Sequence, residues 1–138
     1  MKPSLASTKG VKSFEELHIF QNARQICNDV WRITRNGLAS KDFVFTDQVR
    51  RSALSILSNI AEGFERNSRK EFIQFLSIAK GSCGELRAQI LVGLDQKYIS
   101  KEEHEQLRSA CLQLNAGLSN LMTYLRNNPR ATGNPNSP

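Results

Sequence analysis

The sequence has little proline, few aromatic residues and no long apolar run, and each shortage excludes a class of protein. Proline accounts for 4 of the 138 residues, which leaves room for long helices because proline breaks helix interiors. No segment approaches the ~20 apolar residues that a membrane-spanning helix needs. The first 12 residues lack the apolar core of a secretory signal peptide. The sequence therefore predicts a cytoplasmic protein with no membrane partner.

Groups for catalysis and metal binding are equally scarce. The chain has 3 cysteines and 2 histidines, and no Cys-x-x-Cys pair of the kind that binds zinc. It has no glycine-rich phosphate loop, no nucleophile elbow and no paired Glu-x-x-His motifs of a di-iron site. We therefore expect a protein that is not an enzyme and that holds no metal and no cofactor. The cysteines lie in apolar helical patterns and are predicted to be buried, reduced thiols: Cys27, Cys83 and Cys111.

The net charge of +6 lies mostly at the two ends of the chain. Residues 1–12 carry three lysines and no acidic residue, and residues 126–138 carry two arginines and no acidic residue. Residues 13–125 are therefore close to neutral, with a mild basic bias over residues 48–97. A positive charge is typical of nucleic-acid binding, but a solvated helical surface explains the bias in the middle of the chain equally well.

Four stretches carry apolar residues at the three- and four-residue spacing of an amphipathic helix. The first follows Ser13-Phe-Glu-Glu16, which has the pattern of a capping box, and ends at Asn36-Gly37. The second is predicted to begin near Thr46-Asp47, after a loop over residues 38–45, and to end at Gly63.

Two further capping boxes, Ser68-Arg-Lys-Glu71 and Ser100-Lys-Glu-Glu103, open the third and fourth helices. No stretch alternates with the two-residue period of a strand, and short loops make neighbouring helices antiparallel. The sequence therefore predicts an all-α, antiparallel up-down-up-down four-helix bundle over residues 13–126. The polar ends, residues 1–12 and 127–138, are predicted to be disordered tails.

Two glycines break the rules for a helix interior. Gly81 and Gly84 lie in the middle of the third helix, where each glycine costs about 1 kcal/mol relative to alanine. They indicate a face that another backbone approaches closely. That face is either packed inside the bundle or left for a subunit interface or a ligand.

A polar group in the second helix is also unexpected. Ser55, Asn59 and Glu62 lie three and four residues apart and share one helix face near the core. Polar groups near a core need hydrogen-bond partners, and Ser82 and Glu85 of the third helix are candidates. The group forms either a structural network that fixes the helix register or a binding site.

Basic residues in the middle of the chain are the candidates for nucleic-acid contact. The corner between the second and third helices, Arg66 to Lys70, places cations beside the free amides of a helix start, where a phosphate would bind. No aromatic stacking platform is evident beside these cations. The candidates are Arg50, Arg51, Arg66, Arg69, Lys70, Lys80 and Arg87, with the basic tails.

Two segments of the chain resemble a known family. SFEELHIFQNARQICNDVWRIT and DQVRRSALSILSNIAEGFERNSRKEFIQFLSIAKGSCGELRAQI are similar to the four-helix-bundle family of the 23S rRNA intervening-sequence proteins. The order of SNIAEGF, a Phe-x-x-Phe-Leu helix and a Gly-Ser-x-x-Glu run is the most specific part of the likeness. The family's signature positions fall here on Arg51, Ser55, Asn59, Glu62, Gly63, Gly81, Ser82 and Glu85.

The resemblance implies a bacterial protein that assembles into a ring, a homopentamer, has no enzymatic activity and is expected to bind RNA. A more distant likeness is to the accessory protein of diversity-generating retroelements, a basic pentameric bundle that binds a reverse transcriptase and RNA. This chain departs from the family where many members have proline, since it has Leu57 in the second helix and Asn36-Gly37-Leu38 after the first. These departures affect the expected interface geometry and leave the fold unchanged.

Two functions follow from these observations. The first is a non-enzymatic, oligomeric, RNA-binding protein associated with ribosomal RNA intervening sequences, which predicts salt-sensitive binding. The alternative is a protein-interaction scaffold, such as an accessory subunit for a reverse transcriptase, which predicts an apolar patch without strong RNA affinity.

Overall fold

The four apolar stripes of the sequence fold as four α-helices. A computed structural model of the chain describes residues 7–133 and 135. The predicted all-α fold is confirmed, and the residues so described contain no strand. None of the helices in this part of the chain is long and apolar enough to cross a membrane. The helices are α1 (His18–Arg35), α2 (Phe43–Glu65), α3 (Arg69–Asp95) and α4 (Lys101–Asn127).

The first helix begins later than predicted, because the Ser13–Glu16 capping box does not form. The Ser13 side chain accepts no capping hydrogen bond, and Glu16 Oε2 accepts instead from the Lys12 amide at 2.7 Å. Phe14–Glu16 forms a short 3-10 helix, and Leu17 is the N-cap of α1. Leu17 is buried, so α1 begins at a residue that packs in the core and not at the polar cap that was expected.

The predicted start of the second helix near Thr46-Asp47 is also wrong, because α2 begins at Phe43. Its N-cap is Asp42, whose carboxylate accepts hydrogen bonds from the Phe45 amide at 3.0 Å and from the Tyr98 hydroxyl at 2.5 Å. The first helical residue, Phe43, is 79% exposed and does not belong to the buried stripe. The spacing of apolar residues therefore does not include the first turn of α2. The start of the helix is set instead by the N-cap Asp42.

The other two predicted capping boxes open their helices, one completely and one in part. At Ser100 both halves form: its hydroxyl accepts from the Glu103 amide, and the Glu103 carboxylate accepts from the Ser100 amide. Ser68 accepts from the Glu71 amide at 3.1 Å. The Glu71 carboxylate, however, lies 4.0 Å from Arg66 Nη1, so this box is only half formed.

Contacts between the helices establish their directions. Near the start of α2, Phe45 packs on Gly93 near the end of α3, and at the end of α2, Gly63 packs on Phe72 at the start of α3. These two helices are therefore antiparallel. α1 also packs against α4, which closes the bundle. Hydrogen bonds between side chains and neighbouring helices show that α1 and α2, and α3 and α4, are also antiparallel. These bonds join Arg50 to Thr34, Cys83 to Cys111, and Arg69 to Leu125.

The predicted stripes supply the core. The heptad positions of α4 are all buried, as predicted, and they face apolar residues of the other three helices. Burying one such leucine, isoleucine or phenylalanine contributes about 1.5–3 kcal/mol relative to leaving it exposed. The buried residues of the α4 stripe are Leu107, Cys111, Leu114, Leu118, Leu121 and Leu125.

The glycine that lets α2 and α3 approach each other is not one of the two that stood out in α3. A Cβ on Gly63 would lie 2.7 Å from the Phe75 Cβ, far inside contact distance. Gly81 and Gly84 are exposed, and a Cβ on either would meet nothing within 4 Å. Of the two alternatives, close packing inside the bundle is therefore wrong, and an interface or a ligand remains the open one.

Both ends of the described chain contact the bundle, which their polar composition does not predict. Thr8 is buried, Ala131 packs against the core, and a Cβ on Gly133 would lie 2.7 Å from the Phe64 carbonyl oxygen. The helical part ends at Asn127, where the C-terminal tail was predicted to begin. The disorder predicted for residues 1–6, 134 and 136–138 lies outside the described residues.

The three cysteines are free and buried, as predicted. The Cys27 thiol donates to the Ala53 carbonyl at 3.3 Å, and burial raises its pKa to about 11. A hydrogen bond with Cys111 lowers the pKa of the Cys83 thiol, but Cys83 and Cys111 are fully buried, so a reagent cannot reach them in the folded protein. We therefore expect all three thiols to resist an aromatic disulfide reagent near pH 8, about the ordinary thiol pKa, and to react once the protein is unfolded in guanidinium. Stoichiometric labelling of any thiol in the native protein would contradict this burial.

Candidate nucleic-acid interface

The seven basic residues predicted to contact nucleic acid do not form one patch. α2 contributes Arg50 on the side of α1 and Arg51 on an exposed side, where Arg51 Nε lies 2.9 Å from Asp47 Oδ2. The others lie at the α2–α3 corner or along α3. The members apart from Arg50 and Arg51 are Arg66, Arg69, Lys70, Lys80 and Arg87.

At the α2–α3 corner, groups of the protein itself already occupy two of the cations. Arg66 Nη2 lies 2.9 Å from Glu62 Oε1, and its guanidinium stacks over the Phe75 ring at 4.8 Å. Arg69 Nη1 donates to the Leu125 carbonyl at 3.0 Å, which strengthens the end of α4, where that carbonyl otherwise accepts only a long 3.4 Å bond from the Asn128 amide among the described residues. The corner thus has a structural role that its sequence did not indicate. Lys70 alone remains exposed there without an ion pair among the described residues.

Along α3, Arg87 lies at a groove toward α4. An open groove of about 350 Å³ is lined there by Gly84, Arg87, Leu91, His104 and Arg108, with Ala88. His104 is buried, and its Nε2 meets no hydrogen-bond partner among the residues that the structure describes. Arg108 Nη1 lies 3.9 Å from Glu105, a loose, exposed pair that contributes little.

An aromatic platform was not evident from the sequence, but the structure places an aromatic ring against one of the basic residues. The guanidinium carbon of Arg50 lies 4.9 Å from the centroid of the Trp31 ring, a cation–π contact between α2 and α1. Arg50 Nε also donates to Thr34 Oγ1 at 2.9 Å. Trp31 and Thr34 are three residues apart on α1 and both contact Arg50 on α2. The sequence alone gives no register between α1 and α2, so these contacts of Arg50 could not be predicted from it.

The polar group of the second helix forms a network with α3. Ser55 Oγ lies 2.7 Å from Ser82 Oγ, and Asn59 Nδ2 donates to the Ser55 carbonyl at 2.7 Å and to its hydroxyl at 3.1 Å. Glu62 lies outside this network because it pairs with Arg66, and Glu85 is exposed. The three central members therefore fix the register of α2 against α3 rather than line an open site.

An exposed stripe runs along the outer side of α3. Its members recur at alternating steps of three and four residues, which is the spacing of a helix–helix seam. Ile78 and Val92 are each 52% exposed, which is unusual for residues of this type in a helix. We call this the outward stripe: Ile78, Gly81, Glu85, Ala88 and Val92.

Across the described residues, no group of three or more histidine, cysteine, aspartate or glutamate side chains is placed to hold a metal ion.

Comparison with known proteins gives the family of the chain. No curated protein matches it significantly. Among solved structures, it resembles a protein of unknown function from the S23 ribosomal protein family of Bacteroides thetaiotaomicron, with a TM-score of 0.69 and 24% identity over 75% of this chain and 97% of the other. At this identity the likeness concerns the fold. The model of the 23S rRNA-intervening sequence proteins matches residues 15–120, most of the four helices, and the chain therefore belongs to that family.

Proposed function

We propose that this protein is a non-enzymatic homo-oligomer that binds RNA in the cytoplasm. The observation that carries the RNA part is the net charge of +6, combined with basic side chains that no carboxylate neutralises. Lys70, Lys80 and Arg87 make no ion pair among the described residues. Binding of phosphates to such cations releases counterions and is favourable at low salt. The family description refers to 23S rRNA, which makes RNA the nucleic acid to test.

The outward stripe of α3 supports the oligomer. It presents small and apolar side chains at heptad spacing on either side of the exposed Glu85, and the Cβ position of Gly81 has open space around it. A helix of a second copy would pack along such a stripe and bury Ile78 and Val92. The resemblance to intervening-sequence proteins favours closure into a ring of five copies, and a closed ring leaves no unpaired interface.

The RNA proposal is tested by affinity against salt concentration, measured as anisotropy of a labelled single-stranded RNA. We expect the logarithm of the association constant to fall linearly with the logarithm of salt, by about 0.7 for each phosphate contacted. A variant with Lys2, Lys9 and Lys12 changed to glutamine separates the N-terminal tail from the bundle. Retention of most of the slope would place the contacts on the bundle, and loss of most of it would place them on the tail.

Absence of salt-dependent RNA binding by the full chain would overturn this proposal. The scaffold function would then be preferred, because the outward stripe suits a helix of another protein as well as a second copy. A reverse transcriptase encoded beside the gene would be the first partner to test by co-purification.

A further inference from the structure

The cleft between α1 and α2 combines an aromatic ring, cations and open space. Its volume is about 480 Å³, which lies within the roughly 300–1,000 Å³ of ligand clefts in proteins. Leu54, 45% exposed, forms an apolar wall. The lining residues are Cys27, Asn28, Trp31, Arg32, Arg35 and Leu54.

The Trp31–Arg50 pair is fixed in position before any ligand arrives. Arg50 stacks on the ring of Trp31, and its Nε is held by the Thr34 hydroxyl at 2.9 Å. Thr34 is itself buried and donates to the Val30 carbonyl at 2.7 Å. The remaining guanidinium nitrogens of Arg50 make no hydrogen bond to described residues. A rigid aromatic–cation pair loses little entropy when a ligand binds.

The charge around this cleft is positive. Arg35 is exposed at the end of α1 and makes no ion pair among the residues described. Arg32 pairs with Asp29 at 2.9 Å, but its side chain is 62% exposed and remains accessible. Cys27 adds no negative charge, because burial keeps its thiol protonated at neutral pH. An anionic ligand is therefore attracted to the cleft.

We propose that the α1–α2 cleft binds an unpaired RNA nucleotide, with the base on the Trp31–Arg50 pair and the phosphate on Arg35 and Arg32. This site rests on the RNA binding proposed above and adds a nucleotide site on α1 and α2 to the cations along α3. Single-stranded nucleic acids bind where aromatic rings stack with bases and arginines follow the backbone. A base inside a duplex is already stacked and is not free to enter such a cleft. Asn28, at the rim, supplies an amide for the base edge.

Trp31 is the only tryptophan in the chain, which gives a direct readout of this site. We titrate the full-length protein at low salt with a single-stranded RNA of mixed sequence and follow tryptophan fluorescence and RNA anisotropy together. The expected result is quenching of Trp31 that saturates with the same dissociation constant as the anisotropy. A duplex RNA of equal length should bind without comparable quenching.

Two substitutions test the assigned roles against one matched control. Arg35→Gln removes an exposed charge and should weaken binding several-fold and reduce the salt slope by about 0.7. Trp31→Ala should weaken binding about fivefold or more, provided that its melting curve shows a folded protein. The control is Arg108→Gln, which removes the same charge from the α3–α4 groove on another side of the bundle and should leave the quenching intact.

The possible failures are distinguishable. If the full chain binds RNA but Trp31 fluorescence does not change and Arg35→Gln behaves as Arg108→Gln does, the cleft is not the site, and RNA binding itself still stands. If the full chain shows no salt-dependent RNA binding at all, both the function and its site are overturned.

Discussion

Replacing Gly63 with alanine is expected to destabilise the bundle by about 1–3 kcal/mol, the usual effect of adding a methyl group to a packed core. The added Cβ would lie 2.7 Å from the Phe75 Cβ and 2.9 Å from the Phe72 Cδ1. A Cβ is fixed to the backbone, so Phe75 can yield only if α3 moves. The loss should appear as a lower midpoint in urea denaturation with an unchanged m-value.

Gly84→Ala is the matched control for this prediction. It makes the same change in the middle of α3, where nothing lies within 4 Å of the new Cβ. Alanine is favoured over glycine in a helix by about 0.8–1.0 kcal/mol, so the control should be more stable than the parent. If Gly63→Ala also raised the midpoint, close packing of α2 on α3 at this glycine would be refuted.

The helices and the residues of their buried faces could be predicted from the sequence, because the spacing of apolar residues within a helix is a local property. The α4 stripe from Leu107 to Leu125 is buried as its heptad spacing requires. Helix starts were less predictable where tertiary contacts set them. Leu17 caps α1 through burial in the core, which no local pattern shows. Asp42 caps α2 through a local hydrogen bond from the Phe45 amide, but the apolar period does not point to it, and its contact with Tyr98 joins distant parts of the chain.

The glycines show what a single sequence does not contain. Gly63 and Gly81 both lie in helices, and only the α2–α3 register determines that the first is pressed against phenylalanines and the second faces open space. The Trp31–Arg50 pair is similar, since its two members lie on different helices. Seven basic residues could be named as candidates, but their partners could not, and the partners at Arg66 and Arg69 give those residues structural roles.

The second large effect is expected at the outward stripe, where Val92→Glu should break the proposed oligomer into smaller species. Val92 is 52% exposed in the isolated chain, so glutamate is tolerated in the folded monomer. In an interface between copies, however, the same carboxylate would be buried without a partner, which costs several kcal/mol. Light scattering at micromolar concentration should show a lower mass for the variant, with an unchanged helical circular dichroism spectrum.

Leu91→Glu provides the control for this effect, because Leu91 is the next residue, is 51% exposed and undergoes the same change in charge. It lines the α3–α4 groove with His104 and Arg108 and lies about 100° around α3 from Val92, although the groove borders the outward stripe at Ala88. We expect this variant to keep the parent mass. A parent protein that is monomeric would refute assembly altogether, whereas equal masses for parent and both variants would move the interface to another face. Dissociation by Val92→Glu alone would assign the seam to one side of α3, because a general effect of charge or of reduced hydrophobicity would act equally at Leu91.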